Sequence, residues 1–205
     1  MPIISIEGNI GAGKSTLLEK IQQRVIQTNN KKIHIIPESL DVWTSIKDGK
    51  KCILELYYNH KKKYAVPFQV LTFLSMTFNM MGEIQRLGKD DIVIIERSPI
   101  SNISVFAQML YDEKIIGEVE WSVLKFMANG LMMPVDTIVY LQTDPVDCLE
   151  RVRYRNRLGE DTITLSYLEK VHDQHERWLK DVPHQTLQTQ DEQQMFIDRL
   201  FSTDI

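Results

Sequence analysis

The chain has 205 residues, with 24 basic and 28 acidic side chains, a formal charge of −4, 43% apolar residues and 25% charged ones. These are globular proportions for one domain spanning 1–205, and the acidic balance excludes a protein whose main task is to coat nucleic acid or an anionic membrane. Two cysteines, Cys52 and Cys148, fit a reducing compartment, and with no membrane-length apolar run and no targeting leader ahead of the first strand a soluble, cytoplasmic protein is expected.

In chain order, the apolar run at 2–7 reads as a strand, and Leu17, Leu18, Ile21 and Val25 set a helix over 14–27, closed by Asn29 and Asn30. A second strand is expected at 32–36. Over 68–87 the residues Leu71, Leu74, Phe78, Met81 and Ile84 step by three or four, which predicts a long helix with Gly88 as its stop. Strands follow at 92–96 and 137–142. Asp144-Pro145-Val146-Asp147 has the form of a helix start, with an N-cap carboxylate and proline at the first helical position. Leu168, Val171, His175, Trp178 and Val182 form a last stripe ended by Pro183, with a weaker strand at 185–188 and a short tail. Near-continuous Ile, Val and Leu strands alternating with helices predict an α/β fold with a parallel sheet covered on both faces. Ligands on such sheets sit beyond the carboxyl ends of the strands.

Residues 8–16, GNIGAGKST, fit G-x-x-x-x-G-K-[ST] between the first strand and the first helix. Gly8, Gly11 and Gly13 let the backbone turn its N–H groups inward as an anion cradle. Lys14 would reach the β- and γ-phosphates of a nucleotide, and the Ser15 hydroxyl would ligate Mg²⁺. The fold is therefore expected to be of the P-loop NTPase type. GTPase signatures are missing, because no aspartate is followed three residues later by glycine and Asn30-Lys31-Lys32-Ile33 lacks its aspartate. That leaves small-molecule kinases as the leading class. Phosphorylating a hydroxyl needs a base, a divalent ion and cations around the moving phosphoryl group. Glu38, just past the second strand, is the candidate base. Glu96 and Arg97 close the third strand, where Glu96 could orient Mg²⁺ and Arg97 hold the acceptor. Arg151, Arg153, Arg155 and Arg157 crowd four guanidinium groups into seven residues before Gly159, the composition of a phosphate-closing lid at about 151–162. In a helix they would form two stripes, 151 with 155 and 153 with 157.

With these motifs in order, the sequence resembles the deoxynucleoside kinase family. The resemblance runs from about residue 3 to 180 through GNIGAGKST, Pro37-Glu38 with Trp43, Leu54-Glu55-Leu56 with Tyr58, Pro67-Phe68-Gln69, Glu96-Arg97-Ser98, the arginine run and His175-Glu176-Arg177-Trp178-Leu179. It implies ATP-dependent phosphorylation of a deoxynucleoside 5′-hydroxyl in nucleotide salvage, with ATP and Mg²⁺ required. By position it makes Glu38 the base at the 5′-hydroxyl, with Arg97 beside it and Glu96 near the metal. Tyr58 and Glu160 would bond the sugar 3′-hydroxyl, Gln69 would grip the base edge and Trp43 would line the base pocket. The donor would be held by Gly8, Asn9, Ile10, Gly11, Ala12, Gly13, Lys14, Ser15 and Thr16, with Arg155 and Arg157 on its phosphates and Arg151 against its adenine. A homodimer built on helix packing and inhibition by the end-product triphosphate are also implied.

Independently of the resemblance, Gln69, Thr72, Met76 and Met80 share one helical face, able to read a flat heterocycle. Trp43, Tyr58 and Met76 by themselves read as core packing. The helix over 71–84 and the stretch 119–133 carry apolar stripes that suit a dimer interface or an internal core equally. Met76 resembles the thymidine-using members, and Asn102 stands where others carry aspartate or a small residue, so the base preference leans to pyrimidines with tolerance. The lid has Leu158-Gly159-Glu160 where relatives commonly pair two acids. Two alternatives stay open, a thymidylate-type nucleotide kinase and a non-catalytic nucleotide-binding regulator. His34, His60, His172, His175 and His184 show no metal-ligand grouping.

Overall fold

The computed structural model describes residues 1–202. Strand β1 (Ile3–Gly8) leads through the glycine-rich loop into α1 (Lys14–Thr28), followed by β2 (Ile33–Ile36), α2 (Leu40–Ser45), a hairpin of β3 (Lys47–Asp48) and β4 (Lys51–Cys52), α3 (Ile53–Asn59) and α4 (Lys61–Ile84). After β5 (Ile92–Glu96), a helical turn α5 (Pro99–Ser101) passes into a π-helix over Asn102–Ala107 and then α6 (Gln108–Asp112). The rest comprises α7 (Glu118–Leu131), β6 (Thr137–Leu141), α8 (Pro145–Arg155), a 3₁₀ turn at Glu160–Thr162, α9 (Leu165–Leu179), β7 (Gln185–Leu187) and α10 (Gln190–Phe201).

Five strands form one parallel sheet in the order β2-β5-β1-β6-β7. All six residues of β1 are buried, as expected for the middle strand of a sheet covered on both faces. Ile4 and Ile6 pack into a core with Leu17, Ile21, Val139 and Leu168, while Ile3 joins Ile36, Met80, Val93 and Ile95 on the other face. The register sets Ile6 beside Glu96 and Gly8 beside Leu141. The chain lies to one side of β1 in β2 and β5 and to the other in β6 and β7, so the loop after β1 emerges where the connections diverge, at the mouth of a crevice.

The five strands of this sheet and the starts of α1 and α8 fall where the sequence put them. Asp144 caps α8 through its carboxylate, which accepts the Val146 N–H at 2.7 Å, and Asn29 closes α1 in the left-handed region at φ 50°. The long helix departs from expectation. It begins at Lys61 with Pro67 inside it and ends at Ile84, so Gly88 is not its cap. Proline loses only one backbone bond, to the carbonyl four residues earlier, and the helix before it is held by Ala65, fully buried against the same core as Phe68 and Phe73. Val182 lies beyond the end of α9. The expected short tail is instead α10, which buries Phe196, Ile197 and Leu200. Its start was legible in Thr189-Gln-Asp-Glu192, a capping box in which Thr189 accepts the Glu192 N–H and Glu192 returns to the Thr189 N–H at 2.9 Å.

Among the described residues, no helix is long and apolar enough to cross a membrane.

Candidate functional site

A crevice of about 670 Å³ opens at the carboxyl ends of β1, β2 and β5 and extends between α4 and α8. Its floor is the glycine-rich loop. Gly11 and Gly13 hold φ of 82° and 100°, and a Cβ on Gly11 would stand 2.4 Å from the Cys148 carbonyl oxygen, so only glycine lets the loop pass that close to α8. Ile10, Gly11, Gly13, Lys14, Ser15 and Thr16 face the crevice. Gly8, Asn9 and Ala12 stand behind this wall. Asn9 donates to the Leu168 carbonyl at 2.8 Å and accepts from the Ile10 N–H at 2.8 Å, so its side chain braces the loop. The buried Lys14 ammonium donates to the Gly8 and Asn9 carbonyls at 3.2 and 2.8 Å. Burial, with the Arg97 charge added, brings its pKa down to about 8.

Next to the loop, Glu38 and Arg97 form a nearly buried ion pair, and Arg97 Nη2 donates to the Gly8 carbonyl at 3.0 Å. Arg97 adopts φ 61°, and its guanidinium lies 5.0 Å from the Phe106 ring centre. Burial alone would raise the Glu38 pKa, but Arg97 and Lys14 outweigh it and hold the carboxyl below its ordinary range. Glu96 goes the other way, pushed up by burial and by the Glu38 charge. The Ser15 hydroxyl donates to Glu96 Oε1 at 2.9 Å. A neutral hydroxyl and a carboxylate side by side are hard oxygen ligands of the kind a small divalent cation takes, with water completing its shell. No cluster of three or more His, Cys, Asp or Glu suited to a metal occurs among the described residues.

At the other end, α4 presents Gln69, Thr72 and Met76 to the crevice, all buried. Met80 lies deeper, against Ile36 and Ile95. Asn102 Nδ2 donates to Gln69 Oε1 at 3.0 Å and to Thr72 Oγ1 at 2.6 Å, and its own Oδ1 has no partner among the described residues. Trp43 stands edge-on to Phe68, with its indole N–H donating to Ser75 Oγ at 2.9 Å. Trp43, Tyr58 and Met76 thus both pack and line the cavity.

The arginine run divides. Arg151 donates to the Ala12 carbonyl at 3.1 Å. Arg155 clamps Glu160 through two bonds of 2.7 Å, and Arg157 stands 3.5 Å from the same carboxylate. The expected stripe of Arg153 with Arg157 does not form, because α8 ends at Arg155 with Asn156 in the left-handed region, and Arg153 is exposed outside the crevice. Tyr58 is beside Glu160 on the crevice wall, its phenol pKa raised chiefly by burial and by the neighbouring Tyr167. Sequence reading missed Tyr57, Phe106 and Tyr167 on this wall. Phe106 lies four residues past Asn102, a spacing that could have found it. Also missed was Glu7, wholly buried in β1. The signal was the alternation Ser5-Ile6-Glu7, two polar residues on one face of an apolar strand.

A parallel sheet with a glycine-rich loop after its central strand and a lysine at the start of the next helix is an α/β fold of the P-loop type. Within that class the chain belongs to the deoxynucleoside kinase family, whose sequence model matches residues 4–203. It is 35% identical to the thymidine kinase of Ictalurid herpesvirus 1 (strain Auburn), over 86% of this chain and 74% of that protein. The deoxycytidine kinase of Homo sapiens is 32% identical, over 91% of this chain and 77% of its own length. The mitochondrial deoxyguanosine kinase of Xenopus laevis is also 32% identical, over 86% and 72%. The protein is accordingly a deoxynucleoside kinase, an enzyme that takes a deoxynucleoside substrate and a nucleotide phosphate donor.

Proposed function

We propose that this enzyme transfers the γ-phosphoryl group of ATP to the 5′-hydroxyl of deoxynucleosides for salvage, favouring pyrimidines but tolerating other bases. The observation that carries this reading is the arrangement of one crevice. The Glu38–Arg97 pair lies beside Lys14 and the Ser15–Glu96 pair, and a neutral amide pair, Gln69 and Asn102, occupies the far end.

The loop N–H groups and Lys14 receive the donor phosphates, Arg155 and Arg157 close over them and Arg151 lies against the adenine. Ser15 and Glu96 would hold Mg²⁺, which supplies charge neutralisation to the triphosphate. Arg97 orients the 5′-hydroxyl, and its Nε, buried with no partner among the described residues, is an unused donor for that oxygen. Glu38, kept ionised by Arg97 and Lys14, takes the hydroxyl proton as the phosphoryl group moves in line. Tyr58 and Glu160 bond the 3′-hydroxyl. Catalysis here is positioning and charge compensation.

Breadth follows from the chemistry of the base end. A glutamine amide offers a donor and an acceptor side by side, which matches O4 and N3–H of thymine as well as N3 and the amino group of cytosine. Asn102 adds a neutral oxygen rather than a charge, so neither pyrimidine is strongly rejected. Against Met76 a thymine methyl meets an apolar, adaptable surface. The different bases in the relatives' names are consistent with a pocket that changes preference through a few side chains.

The whole of 1–205 reads as one kinase domain. A homodimer suits the surface of α4 and α7, where Phe78, Val119, Val123 and Phe126 are exposed, Phe126 to 82%. Exposed apolar side chains on two helices that pack together suit a subunit contact.

The rival reading is a nucleotide kinase, whose acceptor already carries a phosphate. Offering thymidine and thymidylate side by side with γ-labelled ATP separates the two. The label should enter thymidine and form thymidylate; label appearing only in thymidine diphosphate would replace this reading with the rival.

A further inference from the structure

We infer that Glu7 is a positioning residue for phosphoryl transfer, anchoring the turn that aims Arg97 at the acceptor and starting the helix that carries Asn102. The inference rests on the role of Arg97 given above.

A fully buried carboxylate in a central strand is costly unless something in the fold requires it. Among the described residues, Glu7 has no ion-pair partner. Its Oε1 instead accepts three hydrogen bonds: from Ser5 Oγ at 2.5 Å, from the Ser98 N–H at 2.9 Å and from Ser98 Oγ at 2.6 Å. Oε2 has no partner among the described residues. The side chain is thus committed, through one oxygen, to the residue after Arg97.

That commitment changes how β5 leaves the sheet. The Arg97 N–H still donates to the Ile6 carbonyl at 3.1 Å, in continuation of the ladder between β1 and β5. The next donor, the Ser98 N–H, is taken by the Glu7 side chain. Between these two pins Arg97 is held at φ 61°, a left-handed conformation that is strained for a non-glycine residue. The turn brings its guanidinium back over the loop, to Glu38 and to the Gly8 carbonyl. Without the second pin, the extended conformation is open to Arg97 and the guanidinium is no longer fixed over the loop.

Ser98 also begins the following helix. Its Oγ accepts the Ser101 N–H at 3.2 Å, and its carbonyl accepts from Ser101 Oγ at 3.0 Å and from the Asn102 N–H at 3.4 Å. One carboxylate oxygen, a single residue before the anion loop, therefore ties the loop's strand to Arg97 at the acceptor end and to Asn102 at the base end. The Glu7 charge also favours the protonated Arg97, so two properties of Glu7 need separating: its reach and its charge.

Glu7→Gln keeps the reach and loses the charge, whereas Glu7→Asp keeps the charge and is one methylene too short for Ser98. Turnover of thymidine and the dissociation constant for ATP are measured for both, with Arg97→Ala alongside. A displaced guanidinium should lower kcat in Glu7→Asp by about tenfold or more, since misplacement of about 1 Å can cost a hundredfold. ATP affinity should stay within about twofold, and Glu7→Gln should remain within about threefold of the parent because its amide oxygen still accepts from Ser98. Parental turnover in Glu7→Asp, an equal loss in Glu7→Gln, or a parallel loss of ATP affinity would overturn the inference. If Glu7→Asp does not fold, Ser98→Ala removes the hydroxyl half of the anchor and must show the same loss of kcat at constant ATP affinity; parental kcat there overturns the inference too. Full turnover in Arg97→Ala would instead withdraw the role of Arg97, which keeps the two failures apart.

Discussion

Raising the pH from about 7 to about 9 should weaken ATP binding to this enzyme by discharging Lys14. The ammonium is buried under the anion loop with Arg97 and Arg155 as like charges and with Glu38 and Glu96 as partial compensation, and burial and Arg97 dominate, lowering its pKa to about 8. Below that value the free enzyme presents a charged Lys14 to the phosphates. Above it the proton must be taken up when the anion binds. One unit above the pKa about one-tenth of the free enzyme retains the charge, so affinity should fall about tenfold, equivalent to about 1.4 kcal/mol. Calorimetric titration with ATP across this range, repeated in buffers of different ionisation enthalpy, reads both the affinity and the proton uptake. Lys14→Arg is the control, because a guanidinium stays charged throughout, and its profile should be flat. Proton-independent binding in the parent enzyme, or the same slope in Lys14→Arg, would refute the reasoning.

Glu38→Gln should lower kcat about a hundredfold or more, the usual worth of a positioned base, while ATP binding measured by the same calorimetry is retained. Gly11→Ala should destabilise the fold by about 2–3 kcal/mol in urea unfolding, because it adds a Cβ at φ 82° within 2.4 Å of the Cys148 carbonyl oxygen; an unchanged midpoint would mean that the loop does not pass α8 so closely. His175 is stacked on Tyr140 and wholly buried, and that burial holds its pKa down to about 3. Between about 3 and 6.5 the unfolded chain binds a proton that the folded chain does not, so this contribution is complete above about pH 6.5 and is lost on acidification. The loss should reach about 3 kcal/mol by about pH 4.5 and be missing from His175→Phe.

Much of the loop end of the crevice was legible because its residues are encoded locally. Gly8 to Ser15 form a contiguous motif whose strand-to-helix context is itself readable. Glu38, Glu96 and Arg97 follow apolar strands directly, so a parallel sheet carries them to one edge without further information. The α4 end depended on contacts far apart in sequence. Asn102 meets Gln69 and Thr72 across about thirty positions, and only the family resemblance singled it out. Local rules misled where packing overrode them: Pro67 sits inside α4 because Ala65 and Phe68 share a buried face. The paired stripes of the arginine run assumed a helix through 157, but Asn156 turns left-handed and brings Arg157 to Glu160 instead. The alternation Ser5-Ile6-Glu7 marks a polar pair on one face of β1, but the second partner, Ser98, lies 91 positions away and only the fold brings it there.

The reaction proposed for this crevice is phosphorylation of the deoxynucleoside 5′-hydroxyl at the expense of ATP. It is tested most directly by incubating the enzyme with γ-labelled ATP and each of the four deoxynucleosides, with the four ribonucleosides as controls, and locating the label. Label should enter the 5′-monophosphates of thymidine and deoxycytidine first, with weaker transfer to purine deoxynucleosides and little to ribonucleosides. Label released only as inorganic phosphate, or transferred to ribonucleosides as readily as to deoxynucleosides, would contradict it.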